Sequence, residues 1–401
     1  MMSGHLEGPW NDWIPGVLNR DQVKQLCDEE LITVEGPVEK ALDESSIDLS
    51  PSEEAFRMIQ GSVKPSGSRP YNWFLKQKEL AEKLPVSADG TYTLNVHETY
   101  VVKLREKLAR GLADARIYGQ ATAKSSVGRV DVLSRLIVNG MDTYEQFDPD
   151  GLAKQSGDMY LEITPITFNV KVKPGEPLSQ LRLFRGDPKA VEMRSNELFK
   201  TILDGPGAEN GSLTVDLTDV KVGGLPVAAF SSRSGRNSDE PIPLWEKESG
   251  SKPDPCKHWR FVTADDKKRL KIEESKFYLL RSKERISVPK GIAIYCRASD
   301  ETIGEMRIHY AGFVHPYFGL LREDGTKGTP LMFEVRGHQV HVSLADGEKM
   351  ANLIFYRMSQ DAPDTKAEEY GSQTLKLSKF FGNWPAKLKG NDDGTVEATE
   401  K

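Results

Sequence analysis

Apolar and polar residues alternate strictly through Ile166-Thr-Phe168-Asn-Val170-Lys-Val172-Lys, the period of a strand with one face buried. Short runs of the same kind recur along the chain, set apart by Gly, Pro and Asp. Asp89-Gly90, for one, marks a turn ahead of the strand-like Thr91-Tyr92-Thr93-Leu94. Helical spacing is confined to a few places. Asn19 to Ile32 has capping residues ahead of apolar Val23, Leu26 and Cys27, while Tyr71 to Leu84 and Ala190 to Leu203 carry further helix-like runs. The pattern predicts a mainly β protein with short peripheral helices.

The pattern also occurs twice. Asp158-Met-Tyr-Leu-Glu162-Ile is followed by Lys173-Pro-Gly175-Glu176, Leu181 and Phe184-Arg185, and Leu331-Met-Phe-Glu334-Val by Ala345-Asp-Gly347-Glu348, Leu353 and Tyr356-Arg357. The two glutamates lie 172 positions apart (334 − 162), as do the glycines, leucines and arginines that follow them. An earlier pair, Ser46-Ile-Asp48-Leu49-Ser50 and Thr214-Val-Asp216-Leu217-Thr218, fits an offset of 168 (216 − 48). A period this long is a duplicated domain rather than a solenoid unit. The expected division is 1–190 and 191–385, two similar β barrels or sandwiches, with the polar residues 386–401 as a disordered tail.

Composition narrows the function classes. A chain of 401 residues, 28% charged and 38% hydrophobic, has the make-up of a globular protein of two or three domains. No apolar run approaches the length of a membrane helix, and the first residues lack the features of a signal peptide. A net charge of −6 argues against nucleic acid as partner. Cys27, Cys256 and Cys296 are too scattered for a disulfide framework or a Cys-x-x-Cys metal site. The expectation is a cytoplasmic protein that binds neither nucleic acid nor membrane.

Two groups of residues could carry chemistry. Period 2 sets Glu162 opposite in facing to Leu161 and Ile163, and Glu334 opposite to Phe333 and Val335. Such a carboxylate either lies on a solvated outer face or is partly desolvated, and in the second case its raised pKa suits proton transfer. The other group is Ala123-Lys124-Ser125-Ser126-Val127-Gly128-Arg129: two hydroxyls, two cations and a glycine, a composition able to cradle phosphate. Its counterpart in the second half, Asp300-Glu301-Thr302-Ile303-Gly304-Glu305, is acidic and would repel a triphosphate, so the first copy alone is expected to hold one.

Leu18-Asn-Arg-Asp-Gln-Val, Ser46-Ile-Asp48-Leu49, Lys124-Ser125-Ser126-Val-Gly-Arg129, Phe147-Asp148-Pro149, Leu161-Glu162 and Tyr370-Gly-Ser-Gln373 occur in an order that resembles the dCTP deaminases, members of the trimeric dUTPase fold superfamily. The resemblance implies two tandem dUTPase-like β-barrel or jelly-roll domains in a fused form, and hydrolysis of dCTP to dUTP and ammonia. It implies no zinc, in keeping with the lack of a His-x-Glu and Pro-Cys-x-x-Cys signature, and Mg²⁺ arriving with the nucleotide triphosphate. Glu162 would move protons, Ser125 and Arg129 would position water and the carboxylate, and Lys124 and Ser126 would meet the phosphates. Gln146 and Asp148 would contact substrate, and Tyr370 and Gln373 would belong to a tail closing over it. Glu145-Gln146 stands where the family has His-Arg, and the second copy's hairpin has His315 in place of the Asp. Because sites in this superfamily lie between subunits, His315 or Glu334 could complete a pocket begun by the first copy, and a homo-oligomer is expected. A dUTP diphosphatase, a bifunctional enzyme and a non-catalytic nucleotide-binding scaffold are the alternatives.

Overall fold

The computed structural model describes residues 8–155, 157–233, 240–298, 306–309, 312–320, 328–364 and 377–399. Strands dominate, as the period-2 pattern predicts. In the first copy they form two six-stranded sheets. One runs Gln146–Phe147, Ile117–Ala123, Ser179–Arg185, Ser46–Leu49, Leu42–Asp43, with Gly16–Val17 also on Ser179–Arg185; the other runs Val132–Val138, Gly157–Pro165, Tyr100–Leu108, Pro51–Met58, Ala81–Leu84, with Ile32–Thr33 also on Tyr100–Leu108. The inward faces meet in an apolar core that includes Leu49, Val102, Leu136, Leu161, Ile163, Leu181 and Leu183.

The second copy repeats this arrangement strand for strand. Phe277–Ile286 lies beside Thr329–Gly337 as Tyr100–Leu108 lies beside Gly157–Pro165, and Lys349–Arg357 beside Ile292–Ala298 as Ser179–Arg185 beside Ile117–Ala123. Here Ser212–Asp216 pairs with both Phe277–Ile286 and Lys349–Arg357, so the two sheets merge into one of eleven strands. Register corrects one part of the repeat read from sequence. Leu49 stands opposite Ser179 and Leu213 opposite Ala351. Since Ser179 and Ala351 are 172 apart (351 − 179), Leu49 corresponds to Leu213, an offset of 164 (213 − 49). Buried side chains agree: Ser50 donates its hydroxyl to Glu106 Oε1 (2.6 Å), and Thr214 does the same to Glu284 Oε1 (2.8 Å). Similar Asp-Leu-Ser/Thr strings had concealed a four-residue shift.

Each of the three predicted helical runs contains a helix, but shorter than the spacing predicts. Arg20–Asp28 forms with a capping box, Asn19 Oδ1 accepting from Gln22 N and Gln22 Oε1 from Asn19 N. From Tyr71 to Leu84 only Asn72–Leu75 is helical, and Ala81–Leu84 is an edge strand on Ala55–Met58. Tertiary pairing there overrides a weak propensity. The linker helix is Asn196–Ile202, capped by Ser195. The expected disordered tail is instead a β-hairpin, Leu388–Gly390 against Val396–Ala398, with Leu388 and Val396 buried in the core. Its turn, Asn391-Asp-Asp-Gly394, uses glycine at φ +79. Among the described residues no helix is long and apolar enough to cross a membrane.

The copies differ in one long connection, and that difference decides where a site can exist. In the first copy the segment 59–80 folds back over its own sheet, packing Tyr71 against Tyr160 with ring centroids 5.6 Å apart. In the second copy the equivalent connection reaches across to the first, where Ile242–Pro243 pairs in parallel with Val170–Lys171. Around it Phe168 of the first copy meets His258, Trp259 and Phe381.

Candidate functional site

The repeated glutamates have opposite fates. Glu162 is buried on the face covered by segment 59–80. Its register partner Arg135 donates to Oε1 through Nε (3.0 Å) and Nη2, and Tyr144 donates its hydroxyl to Oε2 (3.2 Å). Arg135 also stacks on the Tyr144 ring (4.0 Å) and donates to Ser62 Oγ (3.2 Å). Glu162 is thus one half of an ion pair whose carboxylate is 1% exposed and whose arginine reaches the surface. The expectation that it faces substrate does not agree with this geometry, because its own copy's chain plugs the face.

Glu334 stands at the same register position, opposite Leu279 and His309 where Glu162 stands opposite Val101 and Arg135. Its face is turned to the first copy. A cleft of ≈ 370 Å³ opens there, a size suited to a small ligand. The first copy lines it with Lys124, Ser125, Ser126 and Arg129, together with Asp43 and Gln180, and the second with Leu331 to Glu334, Cys296 and Gly312 to His315. The Ser-Ser-x-x-Arg loop and a strand glutamate do meet, but the glutamate comes from the other copy.

Local structure explains the loop's shape. Lys124 ends the strand Ile117–Ala123 in an extended conformation, and Ser125–Gly128 makes a single helical turn whose last amides fold back on Lys124 and Ser125. Val127 is buried in the core beneath it, leaving Ser125 exposed above. Ser378 of the C-terminal segment pins the turn by donating to the Ser126 carbonyl (2.6 Å), and its neighbour Lys379 lines the cleft. Lys124 is held by Asp48, Nζ lying 2.5 and 2.6 Å from its two oxygens, so its charge is partly neutralised before any ligand arrives.

Within the cleft, electrostatics mark Glu334. Burial pushes its carboxyl well above the usual carboxylate range; Arg129 opposes that rise and Asp131 adds to it. Burial likewise lowers the Arg129 guanidinium, with Glu334 acting against the shift. The nearby Cys296 thiol is pushed up to about 12 by burial and by Glu334, and is protonated at neutral pH. A buried carboxyl, one guanidinium and two hydroxyls around a cleft can exchange a proton with a bound water and stabilise an anion.

The other expected residues fall in different places. Asp148 caps the helix Pro149–Lys154, accepting from Gly151 N (2.8 Å), and Gln146 is exposed and donates to Thr143 Oγ1 (3.3 Å); neither lines the cleft. Their register counterparts His315 and Phe313 do line it. His315 is braced at both nitrogens, 3.0 Å from Ser45 Oγ and 3.4 Å from Gln180 Oε1. Tyr370, Gln373 and the acidic stretch 300–305, Glu305 included, lie outside the described residues. Sequence reasoning missed Arg182, fully buried, which donates to the carbonyls of Ile294 and Val314 and stacks under Phe313 (4.0 Å). Alternation alone does not reveal that its face of the strand packs on the second copy.

Comparison with known proteins follows the same two-part division. Residues 14–187 match the family model of the 2'-deoxycytidine 5'-triphosphate deaminase N-terminal domain, and residues 201–381 that of its C-terminal domain. Among solved structures, 2'-deoxycytidine 5'-triphosphate deaminase from Agrobacterium tumefaciens superposes with a TM-score of 0.74 at 24% identity, over 87% of this chain and 99% of that one. At that identity the likeness speaks for the fold. No curated protein sequence matches the chain.

Proposed function

The chain belongs to the dCTP deaminase family, and from that premise we propose that it hydrolyses dCTP to dUTP and ammonia in the cleft between its two copies. The observation that carries this reading is the convergence of Ser125 and Arg129 from the first copy with the buried Glu334 of the second. Glu334, as carboxylate, takes a proton from the attacking water and passes it to the ring nitrogen, and a second transfer releases the amine as ammonia. Burial raises its pKa above that of a free carboxyl, which makes its carboxylate the stronger base for taking a proton from water. Arg129 keeps the carboxylate aligned and meets the negative charge that develops on the attacking oxygen. Ser125 and Ser126 offer hydroxyls to water and phosphate, and Lys379 supplies an exposed cation beside Lys124.

Among the described residues no three His, Cys, Asp or Glu side chains are grouped to hold a metal. We assign Mg²⁺ to the triphosphate itself. Association of whole chains into a homo-oligomer is part of the same proposal. The test is to incubate the protein with dCTP and Mg²⁺, measure ammonia and separate the nucleotides. Equimolar dUTP and ammonia are expected. Release of dUMP and pyrophosphate would point to a diphosphatase, and binding without turnover to a scaffold.

A further inference from the structure

We propose that the Asp131–Arg336 ion pair, buried where the copies meet, is a positioning device that sets the protonation of Glu334. It rests on the functional reading above. Arg336 lies two residues beyond Glu334 on the same face of Thr329–Gly337, where the first copy has Thr164. Its Nη2 donates to Asp131 Oδ2 and to Thr167 Oγ1 (2.5 Å), and Nη1 to the Ser275 carbonyl (2.7 Å). The Thr167 hydroxyl in turn donates to Asp131 Oδ2 (2.5 Å). The Asp131 side chain is 0% exposed and that of Arg336 12%. A single fork thus ties the second copy's catalytic strand to the residue two places after Arg129.

Asp131 is suited to that post and to little else. It adopts a left-handed conformation, φ 57, tolerated by Asp better than by most side chains, and its amide and carbonyl are both committed, to Gly128 O and from Ile166 N. The loop bearing Ser125 and Arg129 is therefore fixed relative to Glu334 by a residue of the first copy gripped by a residue of the second. Among the described residues Asp131 Oδ1 is buried and has no hydrogen-bond partner, so its charge is balanced mainly by Arg336. Glu334 interacts with Arg129 and Asp131 from the loop and with Cys296 from Ile292–Ala298; Asp43, Lys124, His315 and Lys379 also line its cleft, and His309 stands opposite it in register.

Asp131 raises the Glu334 carboxyl directly, and Arg336, paired with Asp131, opposes that effect through it, which separates the proposal from simple packing. Asp131→Asn removes a negative charge and leaves Arg336 uncompensated, so the carboxylate of Glu334 is favoured and its pKa falls. Arg336→Gln exposes Glu334 to an unbalanced Asp131 and moves it upward. The acid limb of kcat/KM against pH reports the carboxylate in the free enzyme. Asp131→Asn is expected to move that limb to lower pH by roughly one unit, Arg336→Gln to higher pH, and Arg336→Lys, which keeps the charge, to leave it in place. Thermal unfolding of each variant shows how much folded protein contributes. A limb that ignores Asp131→Asn, or that moves the same way in Asp131→Asn and Arg336→Gln, would overturn the proposal. Absence of deamination by the unaltered chain would instead end the functional reading, before any variant is compared.

Discussion

Residue by residue, two glutamates with the same register and almost the same sequence surroundings differ in what covers them. Glu334→Gln keeps the shape of the side chain and removes its titrating group, so turnover should fall at least ~10²-fold while nucleotide binding persists. Glu162→Gln should turn over dCTP at close to the normal rate. Its cost is in stability: Arg135 and Tyr144 lose a charged acceptor in a buried setting, worth about 1–3 kcal/mol, seen as a lower melting temperature. Steady-state kinetics with calorimetric melting on both variants checks the pair; a large loss of turnover in Glu162→Gln would return the proton shuttle to the first copy. The period-2 pattern made both carboxylates legible as mid-strand and facing away from the core. It could not tell which face a remote segment covers, because Tyr71 reaches Tyr160 from 89 positions earlier (160 − 71). For the same reason Gln146 and Asp148 looked like substrate contacts, although Asp148 is occupied as a helix cap and their second-copy counterparts hold the cleft.

Among elements, the loop of Lys124 to Arg129 shows how composition and context divide the work. Its hydroxyls and cations, and their place at the cleft end of a strand, follow from its composition and spacing; its attachment to Ser378 and the ion pair of Lys124 with Asp48 do not, since both partners are far away in sequence. Arg129→Ala should raise KM for dCTP and lower kcat together, as the residue serves both the carboxylate and the substrate. Arg129→Lys should recover little, because an ammonium cannot reproduce the planar fork. Recovery of normal kcat/KM by the lysine variant would mean that bare charge is enough. The C-terminal hairpin is the opposite case, an element whose alternation and Asp393-Gly394 turn were visible in sequence but outweighed by its polar composition. Leu388 and Val396 are buried against the second copy, and Phe261 N donates to Gly394 O (2.8 Å). Removing residues 386–401 should therefore lower stability by a few kcal/mol, about 1.5–3 for each buried aliphatic side chain, and leave the kinetics at low temperature unchanged, because the hairpin is not among the elements lining the Glu334 cleft. Chemical denaturation of the truncated chain, followed by a deaminase assay, tests both halves of that expectation.

At the scale of the whole molecule, the two copies meet within one chain. The copies share more than a cleft. Val17 and Phe184 of the first pack with Ala293, Tyr356 and Met358 of the second, and Gly16 sits so close to the Met358–Ser359 backbone that a Cβ would come within 2.6 Å. Such an interface holds Arg129 and Glu334 together irrespective of protein concentration, whereas the segment 59–80 closes the equivalent face of the first copy. The proposed function then predicts one working site per chain. Two full-length variants then give a decisive mixing experiment. Arg129→Ala lacks the first copy's share and Glu334→Gln the second copy's, and each should be nearly inactive alone. Were the site built between chains, mixing them would assemble some clefts with both residues intact and restore a sizeable fraction of activity. With the proposed site inside a single chain, the mixture should stay as inactive as its parts, even after unfolding and refolding together. Recovered deamination in the mixture would show that the working cleft is made by the first copy of one chain and the second copy of another.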